Sequence, residues 1–90
     1  REVEEVLIQH PGVREVAVIG VPDAEWGEAV KAVVAPNGDA KVTETELIEF
    51  CRDRIASYKK PKSVEFINEL PKNNYGKILK RDLRTQFALK

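Results

Sequence analysis

The stretch PKNNYGKILKR, residues 71–81, holds the residues of this chain best suited to chemistry. Lys77 directly follows Gly76, at a predicted turn just before a predicted helix. A glycine adopts backbone angles that other residues resist, and it lets a ligand approach the backbone closely. A lysine ammonium is a compact point charge on a flexible stem, so it can neutralise a phosphate or a carboxylate in a transition state. Gly76 and Lys77 are therefore candidate ligand-contacting residues.

Two other interpretations of the Gly-Lys pair compete with a ligand contact. The phosphate-binding P-loop also contains Gly-Lys, but it requires a glycine at position 71 and a serine or threonine at position 78. The chain has Pro71 and Ile78 there, which excludes that motif. In the other interpretation Gly76 only shapes a turn and Lys77 is solvated. The spacing by itself favours this simpler interpretation.

Hydrophobic periodicity predicts the elements that must position this stretch. Residues 3–10 follow the spacing of one helix face, and Pro11-Gly12 ends that helix. Residues 13–23 include an unbroken apolar run, as expected for a strand buried on both faces. Residues 28–36 form a second strand pattern, and the loop at 22–28 that joins the two predicts an antiparallel pair.

The second half of the chain predicts a helix, a strand and a final helix. Thr43, with Glu46 three residues later, forms a capping box that begins the first of these. Its apolar face consists of Leu47, Phe50, Cys51, Ile55 and Tyr58. Residues 63–70 form a short strand, and the apolar face of the last helix consists of Leu79, Leu83 and Phe87. The order α-β-β-α-β-α predicts an α+β fold, a small three-stranded sheet flanked by helices.

The composition is that of one small folded domain. The 90 residues are 42% apolar and 33% charged, which excludes a disordered chain. The single Cys51, expected in the core, excludes an intrachain disulfide and a cysteine metal site, and the lone His10 excludes a histidine site; no metal is expected. No apolar run has the length of a membrane span and no signal peptide is visible, so we expect a cytoplasmic location.

The charges are unevenly distributed along the chain, although their sum is zero. Residues 1–58 carry 6 cations and 12 anions, whereas residues 59–90 carry 9 cations and 3 anions. This pattern indicates either two solvated faces or a basic C-terminal third that meets a phosphate or a nucleic acid. A free-standing module that binds nucleic acid is thus the alternative function. Against it, the chain has no recognised nucleic-acid motif and no stripe of stacking aromatics.

The stretch ELPKNNYGKILKRDLR resembles the closing motif of the adenylate-forming superfamily, which includes acyl-CoA synthetases, adenylation domains of peptide synthetases and luciferases. The matching residues are Pro71, Gly76, Lys77, Ile78, Leu79, Lys80 and Arg81. Residues 1–34 resemble the start of the small C-terminal domain of those enzymes, and IASYKKPKSVEFI resembles the segment before the closing motif. The resemblance covers essentially the whole chain, and it reverses the preference for a solvated Lys77.

The resemblance implies that residues 1–90 are the mobile C-terminal lid domain of an AMP-forming acyl-CoA synthetase. The abrupt start at Arg1 indicates a fragment that lacks the large N-terminal domain. Such an enzyme joins a carboxylic acid to ATP as an acyl-adenylate and then forms a thioester with coenzyme A. The full-length enzyme is expected to use ATP, Mg²⁺ and coenzyme A. None of them is expected to bind tightly to this fragment, which we expect to be inactive alone.

The same resemblance assigns roles to individual residues. Lys77 is the catalytic lysine of the first step and Gly76 lies at the nucleotide. Lys59 and Lys60, with Lys62 beside them, are expected to hold the phosphates of coenzyme A, and a solvated lysine cluster is the alternative. The expected partners are the enzyme's own N-terminal domain, the carboxylic acid and a protein lysine acetyltransferase that modifies Lys77. Neither nucleic acid nor a membrane span is expected.

Overall fold

Three helices and three strands make up the part of the chain that the computed structural model describes, residues 2–23, 27–38, 41–55 and 61–88. They are α1 (Glu2–Leu7), β1 (Val13–Asp23), β2 (Gly27–Pro36), α2 (Glu44–Arg52), β3 (Ser63–Phe66) and α3 (Lys80–Ala88). The predicted order and the α+β class are confirmed. In these residues no helix has both the length and the apolar character needed to cross a membrane.

The strands form one mixed sheet in the order β1-β2-β3. β1 and β2 pair antiparallel, as predicted, with Val18 opposite Ala32. β3 runs parallel to β2, with Val64 opposite Ala32. β2 is therefore the central strand, and its residues 32–35 are fully buried. Alternate side chains of a strand point to opposite faces, so an unbroken apolar run suits a strand that is covered on both sides.

Two hydrophobic clusters cover the two faces of the sheet. The first joins α1 and α2 to one face, and its buried members are Val3, Leu7, Val13, Val16, Ala32, Val34, Leu47, Cys51 and Val64. The second joins α3 to the other face, and its buried members are Ala17, Ile19, Val21, Val33, Ala35, Leu70, Leu83 and Phe87. The helix that follows Lys77, α3, thus packs against the sheet through its own hydrophobic cluster.

The start of α2 follows the predicted capping box only in part. The Thr43 hydroxyl oxygen accepts a hydrogen bond from the Glu46 N–H at 3.1 Å, which confirms the cap. The Glu46 carboxylate, however, accepts a hydrogen bond from His10 Nε2 at 2.9 Å. His10 presents this nitrogen as a donor because its other ring nitrogen, Nδ1, accepts the Gly12 N–H at 2.9 Å. Glu46 therefore ties α2 to the turn after α1.

The predicted end of α2 is wrong by one turn or more. The helix stops at Arg52, and the N–H groups of Arg54 and Ile55 then share the Cys51 carbonyl as acceptor, at 3.0 and 2.9 Å. Ile55 is partly buried against the first cluster, and Tyr58 lies outside the described residues. Cys51 is fully buried in the core as predicted, and this burial raises the pKa of its thiol.

Two boundaries near the C-terminus also differ from the prediction. β3 ends at Phe66 rather than at Leu70. Leu70 belongs to the second hydrophobic cluster, which packs together with α3. Leu79 precedes α3, and its carbonyl accepts the N–H groups of Asp82 and Leu83 at 3.1 and 3.3 Å. These differences arise because tertiary contacts, rather than local periodicity, decide where an element ends.

Candidate functional site

Residues 71–79, which we call the lysine loop, form a short hairpin between β3 and α3. The Leu79 N–H donates to the Pro71 carbonyl at 2.8 Å and closes the base of the hairpin. Beside it, Lys72 and Ile78 form an antiparallel bridge. The lysine loop is therefore a backbone-paired unit that leads directly into the first turn of α3.

Asn73 organises the tip of the lysine loop. Its N–H donates to the Lys77 carbonyl at 2.9 Å, and its own carbonyl accepts the Gly76 N–H at 3.0 Å. Its side-chain Oδ1 accepts the N–H groups of Tyr75 and Lys77, at 2.9 and 3.0 Å. The role of Asn73 was not predicted from the sequence. The available signal was the tendency of asparagine to bond the backbone two residues further on and so form a turn.

Gly76 has the backbone angle that the sequence predicts for a turn. Its φ is +82°, in the left-handed region that favours glycine. A Cβ atom placed on this residue would meet no other atom within 4 Å. Glycine is therefore required by the backbone angle and not by crowding. The predicted contact of Gly76 with a nucleotide stays a prediction.

Lys72 anchors the base of the lysine loop to β1. Its ammonium forms an ion pair with the Glu15 carboxylate and donates to the Leu70 carbonyl at 3.2 Å. Most of both side chains is covered, since 27% of Lys72 and 20% of Glu15 is exposed. The hydrogen bond from Lys72 lowers the pKa of Glu15 below its ordinary value and outweighs the opposing effect of burial.

Lys80 fixes the first turn of α3 in a similar way. Its Nζ lies 2.7 Å from Oε2 of Glu4 in α1, and the same oxygen accepts the Val18 N–H of β1 at 2.7 Å. Burial alone would raise the pKa of Glu4, but the hydrogen bonds from Lys80 and Val18 outweigh it and lower that pKa. One carboxylate therefore joins a strand to two helices.

These two ion pairs explain part of the uneven charge distribution. Glu4 and Glu15 belong to the acidic first part of the chain, and Lys72 and Lys80 belong to the basic last third. Neither interpretation of the charge pattern foresaw this pairing within the molecule. It depends on which distant parts of the chain the fold brings together.

Lys77 lies exposed in an open groove where the lysine loop meets α3. Arg81 and Arg84 line the same groove. Within residues 2–23, 27–38, 41–55 and 61–88, none of these three cations forms an ion pair with a carboxylate. Asp82 and Lys80 also line the groove, and Lys80 is paired with Glu4. The groove therefore keeps a net positive charge, which attracts an anion. Because the groove is open, the remaining walls of an enclosed site would have to come from another surface.

The other predicted cofactor residues are Lys59, Lys60 and, beside them, Lys62. Lys59 and Lys60 lie outside the described residues, so their contact with coenzyme A stays a prediction. Lys62 is exposed, and its N–H donates to the Val30 carbonyl at 2.8 Å at the start of β3. Among the residues that the structure describes, no group of three or more His, Cys, Asp or Glu side chains is placed to hold a metal ion.

Replacing Glu15 with glutamine is expected to lower the free energy of unfolding at neutral pH by about 1 kcal/mol, because the ion pair with Lys72 is lost. The folded-state pKa of Glu15 is lowered, so its carboxylate stabilises the fold above about pH 4.3, the ordinary pKa of a glutamate. This contribution disappears as the pH falls through the folded-state pKa. The stabilities of the two chains should therefore converge in acid.

Urea unfolding at neutral pH and in steps down to about pH 2.5 measures this difference. Glu49→Gln is the matched control, because Glu49 pairs with Arg52 on an exposed helix surface. We expect that control to change stability little at any pH. A stability difference for Glu15→Gln that stays constant from neutral to acid pH would show that the charge of Glu15 is not its source.

The family model and the related sequences identify the same protein family. Residues 2–77 match the model of the AMP-binding enzyme C-terminal domain. A long-chain-fatty-acid–CoA ligase of Escherichia coli O6:H1 is 54% identical over 85 residues, which cover 94% of this chain and 15% of that protein. A feruloyl-CoA synthase of Amycolatopsis sp is 51% identical over 87 residues, covering 97% of this chain and 18% of that protein.

Solved structures show the same backbone arrangement. A Mycobacterium tuberculosis fatty acyl CoA synthetase has a TM-score of 0.91 and 48% identity, over 98% of this chain and 17% of that one. ATP-bound MatB from Rhodopseudomonas palustris has a TM-score of 0.92 and 39% identity, over 97% of this chain and 17% of that one. The chain thus spans less than a fifth of the length of these proteins. The alternative of a nucleic-acid-binding module finds no support among them.

Proposed function

Because the chain belongs to the family of AMP-binding enzyme C-terminal domains, we propose that it is the mobile lid of an AMP-forming acyl-CoA synthetase. The observation that carries this proposal is the presentation of Lys77. The residue is exposed on a hydrogen-bonded loop, and in the described part of the chain no carboxylate pairs with it. A cation held in this way suits a site that a second surface completes. The large N-terminal domain of such an enzyme would supply that surface.

The proposed reaction has two steps, and Lys77 acts in the first. A carboxylate oxygen of the acid attacks the α-phosphorus of ATP, the bond from that phosphorus to the bridging oxygen breaks, and pyrophosphate leaves with the electron pair. The attack brings two anions together. A cation that touches both reduces their repulsion and fixes the direction of approach. Mg²⁺ is proposed to accompany the phosphates of ATP.

In the second step the thiol of coenzyme A gives up its proton to solvent and its sulfur attacks the acyl carbon. The bond from that carbon to the phosphate oxygen breaks, and AMP leaves with the electron pair. The lid is proposed to rotate between the steps, so that Lys77 withdraws and another face meets the thiol. Lys59 and Lys60 are proposed to contact the phosphates of coenzyme A. Gly76, which has no side chain, is proposed to let the nucleotide approach the backbone. A cytoplasmic location is proposed, where ATP and coenzyme A are both available.

The proposed acid is defined by its carboxylate alone. The related proteins carry names that refer to long-chain fatty acids in one case and to feruloyl-CoA in the other. Their C-terminal domains are nevertheless about equally similar to this chain, at 54% and 51% identity. The lid therefore serves a chemical step that such acids share. The choice of acid is proposed to lie in the N-terminal domain.

The proposal is tested with the full-length enzyme by acid-dependent exchange of pyrophosphate into ATP and by thioester formation from acid, ATP and coenzyme A. We expect a panel of fatty and aromatic acids to include at least one that supports both reactions. A full-length protein that binds ATP but exchanges no pyrophosphate with any acid of the panel would overturn it. Salt-dependent binding of RNA or DNA instead would favour the nucleic-acid alternative.

The chain on its own is expected to be folded and catalytically inactive. Its two hydrophobic clusters give it a core, but the groove where the lysine loop meets α3 is open to solvent. Circular dichroism should therefore show a cooperative unfolding transition, whereas acid-dependent ATP–pyrophosphate exchange should stay at background. The full-length enzyme under identical conditions is the positive control. Exchange above background by the isolated chain would contradict the need for a second surface.

Acetylation of Lys77 by a protein lysine acetyltransferase is expected to stop the first step while the fold persists. Acetylation replaces the charge with a neutral amide, which does not offset the repulsion between carboxylate and α-phosphate. Lys72 and Lys80 are internal controls, because both ammonium groups lie in ion pairs and neither follows a glycine. Mass spectrometry locates the modified lysines, and both half-reactions are then assayed. Intact adenylation by enzyme acetylated at Lys77 would refute the expectation.

A further inference from the structure

Both backbone polar groups of Lys77 are bonded to one residue. The Lys77 N–H donates to Oδ1 of Asn73 at 3.0 Å, and the Lys77 carbonyl accepts the Asn73 N–H at 2.9 Å. These bonds flank the Cα atom of Lys77, so together they restrict the direction in which its side chain leaves the loop. The ammonium is exposed, but the base of its stem is held.

The residue before Lys77 makes this restraint necessary. Gly76 has φ +82°, and no other atom lies within 4 Å of the position that a Cβ would take. Neither a side chain nor a neighbouring group therefore limits rotation of the backbone at this residue. Any rotation there is magnified at the ammonium, because four methylene groups separate it from the Cα atom. Oδ1 of Asn73 bridges this glycine by accepting the N–H groups of Tyr75 and Lys77 on either side of it.

We propose that Asn73 is a positioning residue for Lys77: its side-chain oxygen holds the loop backbone so that the ammonium meets the carboxylate and the α-phosphate together. The inference rests on the proposed role of Lys77 in adenylate formation. Misplacement of a reacting group by about 1 Å costs up to roughly 100-fold in rate. Asn73→Ala in the full-length enzyme is therefore expected to lower kcat for adenylate formation about 10- to 100-fold. The KM for ATP should change little.

Three variants separate positioning from a general effect on the loop. Asn73→Ala removes the side-chain acceptor. Asn73→Ser restores an oxygen that makes the same local turn more weakly, so it should recover part of the lost rate. Asn74→Ala is the matched control, because it makes the same substitution at the exposed neighbouring asparagine. We expect it to behave like the unaltered enzyme, and we expect all three variants to form thioester normally from supplied acyl-adenylate.

A second measurement follows the hydrogen bond itself. Amide hydrogen exchange of Lys77, observed by NMR in the chain, should become about tenfold faster or more in Asn73→Ala, because that N–H loses its acceptor. It should stay unchanged in Asn74→Ala. If the Lys77 amide exchanges equally fast in the unaltered chain, in Asn73→Ala and in Asn74→Ala, the proposal is overturned, since the hydrogen bond would then not restrain the loop.

The decisive arm is a double-mutant cycle with Lys77→Ala. If Asn73 acts through Lys77, Asn73→Ala should lower adenylation strongly in the unaltered enzyme and not at all when Lys77 is already alanine. Equal losses in both backgrounds, or no loss in the unaltered enzyme while Lys77→Ala is defective, would overturn this inference alone. Intact adenylation by Lys77→Ala would instead overturn the proposed role of Lys77 in the first step, and this inference with it.

Discussion

Lys77→Ala in the full-length enzyme is expected to slow acyl-adenylate formation about 10²- to 10³-fold, which corresponds to about 3–4 kcal/mol of lost transition-state stabilisation. The reason is electrostatic. The carboxylate and the α-phosphate repel each other as they meet, and alanine leaves that repulsion uncompensated. Thioester formation from supplied acyl-adenylate and coenzyme A should be largely spared, because the proposed rotation of the lid withdraws Lys77 before that step.

Both half-reactions should be measured on the same preparations. Lys41→Ala is the matched control, since Lys41 is an exposed lysine ahead of α2 and far along the chain from the lysine loop. It should leave both rates unchanged. Equal damage to the two steps by Lys77→Ala would remove the assignment of this lysine to the first step.

Leu83→Ala is expected to destabilise the domain by about 2–5 kcal/mol, the usual cost of deleting a buried leucine side chain and leaving a cavity. Leu83 is fully buried, and it joins α3 to the second cluster together with Leu70 and Phe87. A domain of this length has a total stability of roughly 5–13 kcal/mol, so the loss is a large fraction. The midpoint of thermal unfolding should fall by about 10–25 °C.

Thermal and urea unfolding followed by circular dichroism measure this effect. Gln86→Ala is the control on the same helix, because Gln86 is exposed and alanine is a good helix former. It should change stability by no more than about 0.5 kcal/mol. A loss below about 1 kcal/mol for Leu83→Ala would mean that the sheet does not depend on α3 for its cover.

The helices and strands were predictable where local periodicity decides them. The unbroken apolar run at residues 16–19 predicted a strand buried on both faces, and β1 does contribute Val16 to one cluster and Ala17 and Ile19 to the other. The Thr43 cap marked the start of α2. The parallel pairing of β3 with β2 was not predicted, because register and direction depend on contacts between distant parts of the chain. The early end of α2 has the same cause.

The residues of the candidate site were likewise predictable only where local sequence features identify them. Gly76 and Lys77 were found from their types, order and resemblance, all of which are local. Asn73 was missed, since an asparagine in a turn-rich stretch has many potential local partners and the sequence does not say which one it takes. The ion pairs of Lys72 and Lys80 were also missed, because their partners lie near the other end of the chain.

The carboxylate of Glu4 also affects whether copies of this domain associate with one another. β1 lies at the border of the sheet, where unpaired N–H and C=O groups form a template on which a strand of another molecule can add. Glu4 occupies one such group, the Val18 N–H at the middle of β1, and Lys80 keeps it there. The ion pair between Glu4 and Lys80, which holds the first turn of α3, therefore also hinders edge-to-edge aggregation through β1.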